Sequence, residues 1–247
     1  MTGKHPTWYA FVRWMVKTLY FGTHGGIRSV DENNIPGTGP VLIAPLHLSH
    51  LDPPAVACGM RRRLRFMAKE ELFRHPIFGG LIASLGAFPV KRGETDTEAI
   101  RKAISLLEEG EVVLVFPEGT RGDGETIQEM SRGVAMLAKR TKAPVVPVGV
   151  IGTNIVMPKG KPRGDKYLVT LVYGKPFTYE EIATAGTERQ NRDRFTAEIQ
   201  RRIVELCNAN GSPLRIAPTQ SDSEESGSRE PHTERSPSEP VDTQSQH

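Results

Sequence analysis

The stretch Val41-Leu42-Ile43-Ala44-Pro45-Leu46-His47-Leu48-Ser49-His50-Leu51-Asp52-Pro53-Pro54 decides the fold class. Its first four residues are an apolar run of strand length. Asp52 before Pro53 reads as a helix N-cap with Pro at the first helical position, and the residues between make the turn. A strand that turns into a helix is the repeating unit of an α/β sheet, and the turn lies where such sheets bind ligands. His47 stands at the strand end with Asp52 five positions on. A carboxylate at that reach can accept a hydrogen bond from one ring nitrogen of His47, leaving the other to take a proton from a substrate hydroxyl. The same residues also have a plainer reading, in which Asp52 only caps a helix and His47 is a solvated loop residue.

Working outward, further apolar runs alternate with helical patterns. Strands are expected near 61–69, 88–90, 112–116, 145–150 and 168–173. Between them, Thr95-Asp96-Thr97-Glu98 forms a capping box, after which Ile100, Ala103, Ile104 and Leu107 recur at helical spacing until Gly110. Helices are also expected at 134–140 and 189–208. The fold class that follows is α/β, a mostly parallel sheet flanked by helices. Residues 30–40 are rich in Pro, Gly and Asn and read as a connector. Residues 72–90 are the most apolar stretch, interrupted by Pro76, Gly79, Gly80 and Gly86. Core packing accounts for most of it, and an apolar groove for a lipid tail would have the same composition.

Residues 7–21 (TWYAFVRWMVKTLYF) have helical periodicity, with Trp8, Phe11, Val12, Met15 and Leu19 on one face and Arg13 and Lys17 on another. Aromatic rings beside a basic pair suit the interface of a membrane, and an N-terminal amphipathic helix packed on its own core would also fit. At the other end, 217–247 has Val241 as its only aliphatic residue larger than Ala, and such a composition cannot offset chain entropy by burial. The organisation expected is therefore an amphipathic membrane-interface helix at 1–28, an α/β domain at 29–216 and a disordered acidic tail at 217–247. The tail holds seven acids and two bases, so against a formal total of +3 the remainder carries about +8. A basic body points to anionic partners. Four Arg within 61–65 are dense, yet they lack the interleaved aromatics of a nucleic-acid site, and no nucleic-acid partner is expected.

Cys58 and Cys207 are far apart and each falls in a helical pattern, which speaks for a reducing compartment rather than a disulfide framework. No apolar run reaches the ~18 residues that suggest a membrane span, and nothing has a signal-peptide layout. A protein kept in the cytoplasm is the expectation.

If the strands before them are parallel neighbours, the loop holding His47 and Asp52 and the loop Glu118-Gly119-Thr120-Arg121 share one edge of the sheet. One offers a base and the other a cation. Lys91 and Arg92 follow the 88–90 strand and add two cations, a combination suited to phosphate recognition beside a proton acceptor. Each loop also reads as an ordinary solvated turn. The chain has neither a G-x-S-x-G elbow nor a G-x-x-x-x-G-K-[ST] loop, so serine-hydrolase and NTPase chemistry lack their main device. His47, His50 and Asp52 are metal-ligand types, but no further His lies near another strand end, and no metal is expected.

These motifs together resemble the glycerolipid acyltransferase family typified by 1-acyl-glycerol-3-phosphate acyltransferase. The family's first motif, His, four residues, then Asp, is similar to His47 through Asp52. Its second resembles Gly86-Ala87-Phe88-Pro89-Val90-Lys91-Arg92-Gly93. The third, Phe-Pro-Glu-Gly-Thr-Arg, matches 116–121, and the proline-centred fourth resembles Ala143-Pro144-Val145-Val146-Pro147-Val148. The match runs in order across 35–177. Leu46 stands where the family commonly has Asn, so one loop hydrogen bond is removed.

The resemblance implies that His47 is a general base oriented by Asp52, with Lys91, Arg92, Glu118, Gly119, Thr120 and Arg121 binding the acceptor's glycerol phosphate. It implies acyl transfer from acyl-CoA or acyl carrier protein to the free hydroxyl of lysophosphatidic acid, giving phosphatidic acid, with no cofactor. The place implied is an anionic membrane surface at its cytoplasmic face, with peripheral or monotopic attachment. Acylation of glycerol 3-phosphate or of another lysophospholipid uses the same motifs, and a non-catalytic lipid-binding module could keep the same fold.

Overall fold

The structure, a computed structural model, describes residues 6–90 and 97–217. Lys91, Arg92, the capping-box residues Thr95 and Asp96, and the acidic segment 218–247 lie outside the described residues.

The chain opens with helix α1 (Pro6–Met15), which continues as a π-helical turn over Val16–Phe21 before strand β1 (Ile27–Val30). β2 (Val41–Pro45) passes through the His47 loop into α2 (Asp52–Cys58), followed by β3 (Leu64–Lys69), the short α3 (Glu70–Phe73), α4 (Pro76–Ser84) and β4 (Ala87–Val90). α5 (Thr97–Glu108), β5 (Val112–Leu114), β6 (Thr126–Ile127), α6 (Gly133–Thr141) and β7 (Val145–Ile151) come next. The chain then runs through α7 (Thr153–Val156), β8 (Val169–Tyr173), α8 (Tyr179–Ile182), α9 (Glu188–Ala209) and β9 (Arg215–Ile216).

Seven strands form one sheet in the order β1-β8-β7-β2-β5-β3-β4. β7, β2, β5, β3 and β4 are mutually parallel, while β8 pairs antiparallel with β7 and parallel with β1. Every residue of β2, β7 and β8 is buried, as the centre of a helix-covered sheet demands of its Val, Ile and Leu runs. β6 and β9 pair in a separate two-stranded sheet.

α9 lays Phe195, Ile199, Ile203 and Cys207, four residues apart, against β7. The approach is close at Gly149, where a β-carbon would stand 3.2 Å from Cys207 Sγ. Cys58 and Cys207 are buried free thiols, and burial raises both, to about 11 and about 12.

Three local expectations are corrected. Residues 72–90 are not mainly core: Pro76 starts a helix, Gly79 lets it close on the Phe73 backbone, and Leu72, Ile77, Phe78 and Leu81 are exposed, Ile77 by 81%. The cause is position, because α4 leads into β4, the last strand at its edge of the sheet. The connector begins later than 30, since Ile27–Val30 pairs with Val169–Val172 in the sheet. Asp52 is the first residue of α2 and does not cap it, because its carboxylate turns back to the loop that precedes it.

The first helix also divides its faces differently from the sequence pattern. Tyr9 and Val12 point inward, while Trp8, Phe11, Trp14 and Leu19 are exposed. Arg13 donates to the carbonyls of Met60 and Arg61, and the Tyr9 hydroxyl accepts from Leu64 N–H.

Candidate active site

β2 delivers its chain end to the carboxyl edge of the parallel strands. Leu46 is buried there in the hydrophobic core, its N–H donating to Val148 O on β7. The backbone then leaves the sheet and folds over Asp52. One carboxylate oxygen, Oδ2, accepts from Leu48 N–H at 2.7 Å, from Ser49 N–H at 2.8 Å and from His47 Nδ1 at 2.8 Å. Asp52 is fully buried and His47 is 8% exposed. A carboxylate can only accept, so the ring proton resides on Nδ1 and the lone pair on Nε2. The loop is tied down on its far side by Ser49, whose hydroxyl donates to Met157 O at 2.7 Å and accepts from Leu51 N–H. His50 is on the exposed side of the same loop.

β5 is the parallel neighbour of β2, so the segment after it arrives beside His47. The rings of Phe116 and His47 are stacked, with centroids 3.8 Å apart and planes 20° from parallel. Glu118 Oε1 accepts from His47 N–H at 3.1 Å, and Gly122 N–H donates to His47 O at 2.8 Å. Gly119 turns the chain at φ +67°, a region that glycine enters without strain. Burial pushes the Glu118 carboxyl up to about 7, with the charges of Asp52 and Asp123 adding to the rise against the backbone N–H groups that lower it.

Arg121 is half-buried, and among the described residues no carboxylate pairs with it. Gly119 and Thr120 are exposed at the turn. Thus His47, Asp52, Glu118, Gly119, Thr120 and Arg121 are brought to one edge. β4 ends at Val90 on the same edge, immediately before the undescribed Lys91 and Arg92. Among the described residues no three His, Cys, Asp or Glu side chains are grouped to hold a metal ion.

Phe116, Gly122 and Ser49 act on the site without having been singled out in the sequence. Phe116 had a legible signal, since it closes the apolar run 112–116 immediately before the turn, although the strand itself ends at Leu114. Gly122 had none, because its partner His47 lies far away in the chain, and neither had the bond from Ser49 to Met157, which spans more than a hundred residues.

Residues 26–151, about half of the chain, match the family model described as Acyltransferase. The chain belongs to the acyltransferase family. The matched region contains both loops of the site, from β2 to α2 and from β5 to β6. Over 185 residues this acyltransferase is 30% identical to the 1-acyl-sn-glycerol-3-phosphate acyltransferase of Bacillus subtilis, with 74% of this chain and 89% of that protein covered. It is 29% identical over 199 residues to the protein of the same name from Streptococcus pneumoniae, covering 78% of this chain and 72% of that one. The crystal structure of the 1-acyl-sn-glycerophosphate (LPA) acyltransferase PlsC from Thermotoga maritima superposes on this acyltransferase with a TM-score of 0.67 at 27% identity, over 81% of each chain.

Proposed function

We propose that this acyltransferase moves a fatty acyl group from an acyl thioester, acyl-CoA or acyl carrier protein, to the free hydroxyl of lysophosphatidic acid, giving phosphatidic acid. The observation that carries the reading is the His47–Asp52 pair beside the 116–122 segment, in a chain similar to proteins named for this reaction. Nε2 of His47 accepts the hydroxyl proton as the oxygen attacks the thioester carbonyl. The new C–O bond replaces the C–S bond, and the proton passes to the departing thiolate. Asp52 keeps the proton on Nδ1 and stabilises the ring while it is doubly protonated. Arg121, with Arg92 and Lys91 from the loop after β4, supplies charge for the acceptor phosphate, and Gly119 and Thr120 shape the turn that presents Arg121.

The place of reaction is the anionic surface of a membrane, at its cytoplasmic face, with attachment from one side. Support comes from the exposed Trp8, Phe11, Trp14 and Leu19 of the first helical segment and the exposed Ile77, Phe78 and Leu81 of α4. The Trp8 indole donates to Ser84 Oγ at 3.0 Å, which ties the first helix to the end of α4. Such a surface suits the headgroup boundary, where rings and aliphatic groups are buried together. Among the described residues no helix is long and apolar enough to cross a membrane.

The test is a matrix of donors and acceptors with the purified full chain. Acyl-CoA and acyl carrier protein are each offered with lysophosphatidic acid, glycerol 3-phosphate and lysophosphatidylcholine, following thiol release and lipid product. Lysophosphatidic acid should give the highest kcat/KM with at least one donor. Thiol release that ignores every acceptor would sink the reading.

A further inference from the structure

The 116–122 segment holds His47 at three levels. Phe116 lies against the ring, Glu118 accepts its backbone N–H, and Gly122 donates to its backbone carbonyl. We propose that Glu118 is a positioning residue that sets the place of His47, and that it is not a ligand for the acceptor phosphate. The inference rests on His47 being the base.

Both carboxyl oxygens of Glu118 already have backbone partners. Oε1 takes His47 N–H, and Oε2 faces Gln128 N–H at 3.4 Å, a long contact. Gln128 is itself fixed, because Gln200 Nε2 on α9 donates to its carbonyl at 3.1 Å and to that of Ile127 at 3.3 Å. The chain of bonds therefore runs from α9 through Gln128 and Glu118 to the backbone of His47. Whenever it is ionised, the Glu118 carboxylate would also repel a phosphate dianion placed beside it. Its environment is consistent with a brace. Burial and the nearby Asp52 and Asp123 place the carboxyl at about 7, and in either protonation state it still offers an oxygen to an N–H.

A brace matters because a general base works only within hydrogen-bond reach of the proton it takes, and a displacement of about 1 Å can cost on the order of a hundredfold. Loss of the brace should therefore appear in kcat. Loss of an acceptor ligand should appear in KM.

The test compares Glu118→Ala, Glu118→Gln and His47→Ala in the full chain, together with the double variant of His47→Ala and Glu118→Ala. Lysophosphatidic acid is varied at fixed donor, with more enzyme, still below the acceptor concentration, for the slow variants. Glu118→Ala should lower kcat by roughly ten- to a hundredfold while acceptor KM stays within about twofold. Glu118→Gln keeps an oxygen for His47 N–H, so it should restore kcat to within about fivefold of the parent. In the His47→Ala background, Glu118→Ala should cost almost nothing further, because the group being positioned is gone. Retention of full activity by His47→Ala would remove the base reading and this inference with it. If His47→Ala is inactive but Glu118→Gln raises acceptor KM about tenfold at unchanged kcat, Glu118 is a ligand and only this inference falls. Glu118→Gln also decides the matter should Glu118→Ala fail to fold.

Discussion

The imidazole of His47 lies nearly parallel to the phenyl ring of Phe116, 3.8 Å between centroids, so the plane in which the base presents Nε2 is set by a residue from a different strand loop. Asp52 fixes the opposite edge of the ring. The imidazole has one orientation because a stacking contact and a hydrogen bond constrain different degrees of freedom.

Phe116→Leu keeps apolar bulk but removes the flat face. A stacked pair is worth about 0.5–1.5 kcal/mol beyond area burial, so kcat should fall roughly two- to tenfold with acceptor KM unchanged. Phe116→Tyr should stay close to the parent. A larger loss for Tyr than for Leu would show that the ring face is not what matters, and steady-state kinetics on both variants reads the difference.

His47→Ala should lower kcat on the order of a hundredfold or more, whereas His50→Ala, on the exposed side of the loop, should do much less. Asp52→Ala carries a second penalty. It leaves Leu48 N–H, Ser49 N–H and the His47 ring without their common acceptor in a buried place, at about 1–3 kcal/mol for each group that finds no water. His47→Ala also loses the Phe116 contact and one donor to Asp52, so its Tm should drop as well, but that of Asp52→Ala should drop further, and equal Tm values for the two would argue against a larger structural share for Asp52.

Arg121→Lys preserves charge and loses the planar fork. Acceptor KM should rise several-fold while donor KM barely moves. A rise confined to the donor would instead place Arg121 beside a phosphate of CoA or of the carrier protein's prosthetic group.

The raised carboxyl of Glu118 makes stability depend on pH with a definite sign. In the folded chain it titrates at about 7 against an ordinary value of 4.5, so between those values the folded state keeps a proton that the unfolded state has released. Stability from this group therefore falls as pH rises through that window. Glu118→Gln cannot ionise, and its Tm relative to the parent should improve between about pH 5 and about pH 8. Calorimetry at the two pH values checks this, and a constant difference would mean that Glu118 titrates alike in both states.

Removal of the whole first helix is a poor probe of membrane binding, because Tyr9, Val12 and Phe21 are buried and Arg13 bonds to the 60–61 backbone. Exposed positions are better. Phe11→Ser with Trp14→Ser should weaken binding to anionic vesicles by at least about tenfold, given about 1.5–3 kcal/mol for each large side chain fully buried. Transfer to a water-soluble short-chain acceptor should be preserved. Co-sedimentation unchanged by the pair would move the contact to Ile77, Phe78 and Leu81 on α4.

The strand and helix alternation was legible because buried parallel strands leave continuous Val and Ile runs, as in 41–44 and 145–150, and helices leave caps and period. β1 was not legible. Ile27-Arg28-Ser29-Val30 has no strand pattern strong enough to stand alone, and its pairing with β8 some 140 residues away makes it a strand. The outward face of α4 was hidden for the converse reason: its composition is that of a core, and only its place beside the edge strand leaves it uncovered.

Residue order by itself determined that His47 and Asp52 could meet, because five positions across a turn are a local matter of chain geometry. It also determined the α/β class, through periodicities that act within one element. Tertiary structure decided the rest of the site. Phe116, Glu118 and Gly122 reach His47 only because β2 and β5 are parallel neighbours in the sheet, and Gln200 supports Glu118 only because α9 closes back on β7 and β6. Such contacts span about seventy residues or more, and no local propensity encodes them. They form when the burial of many apolar groups at once selects one strand order.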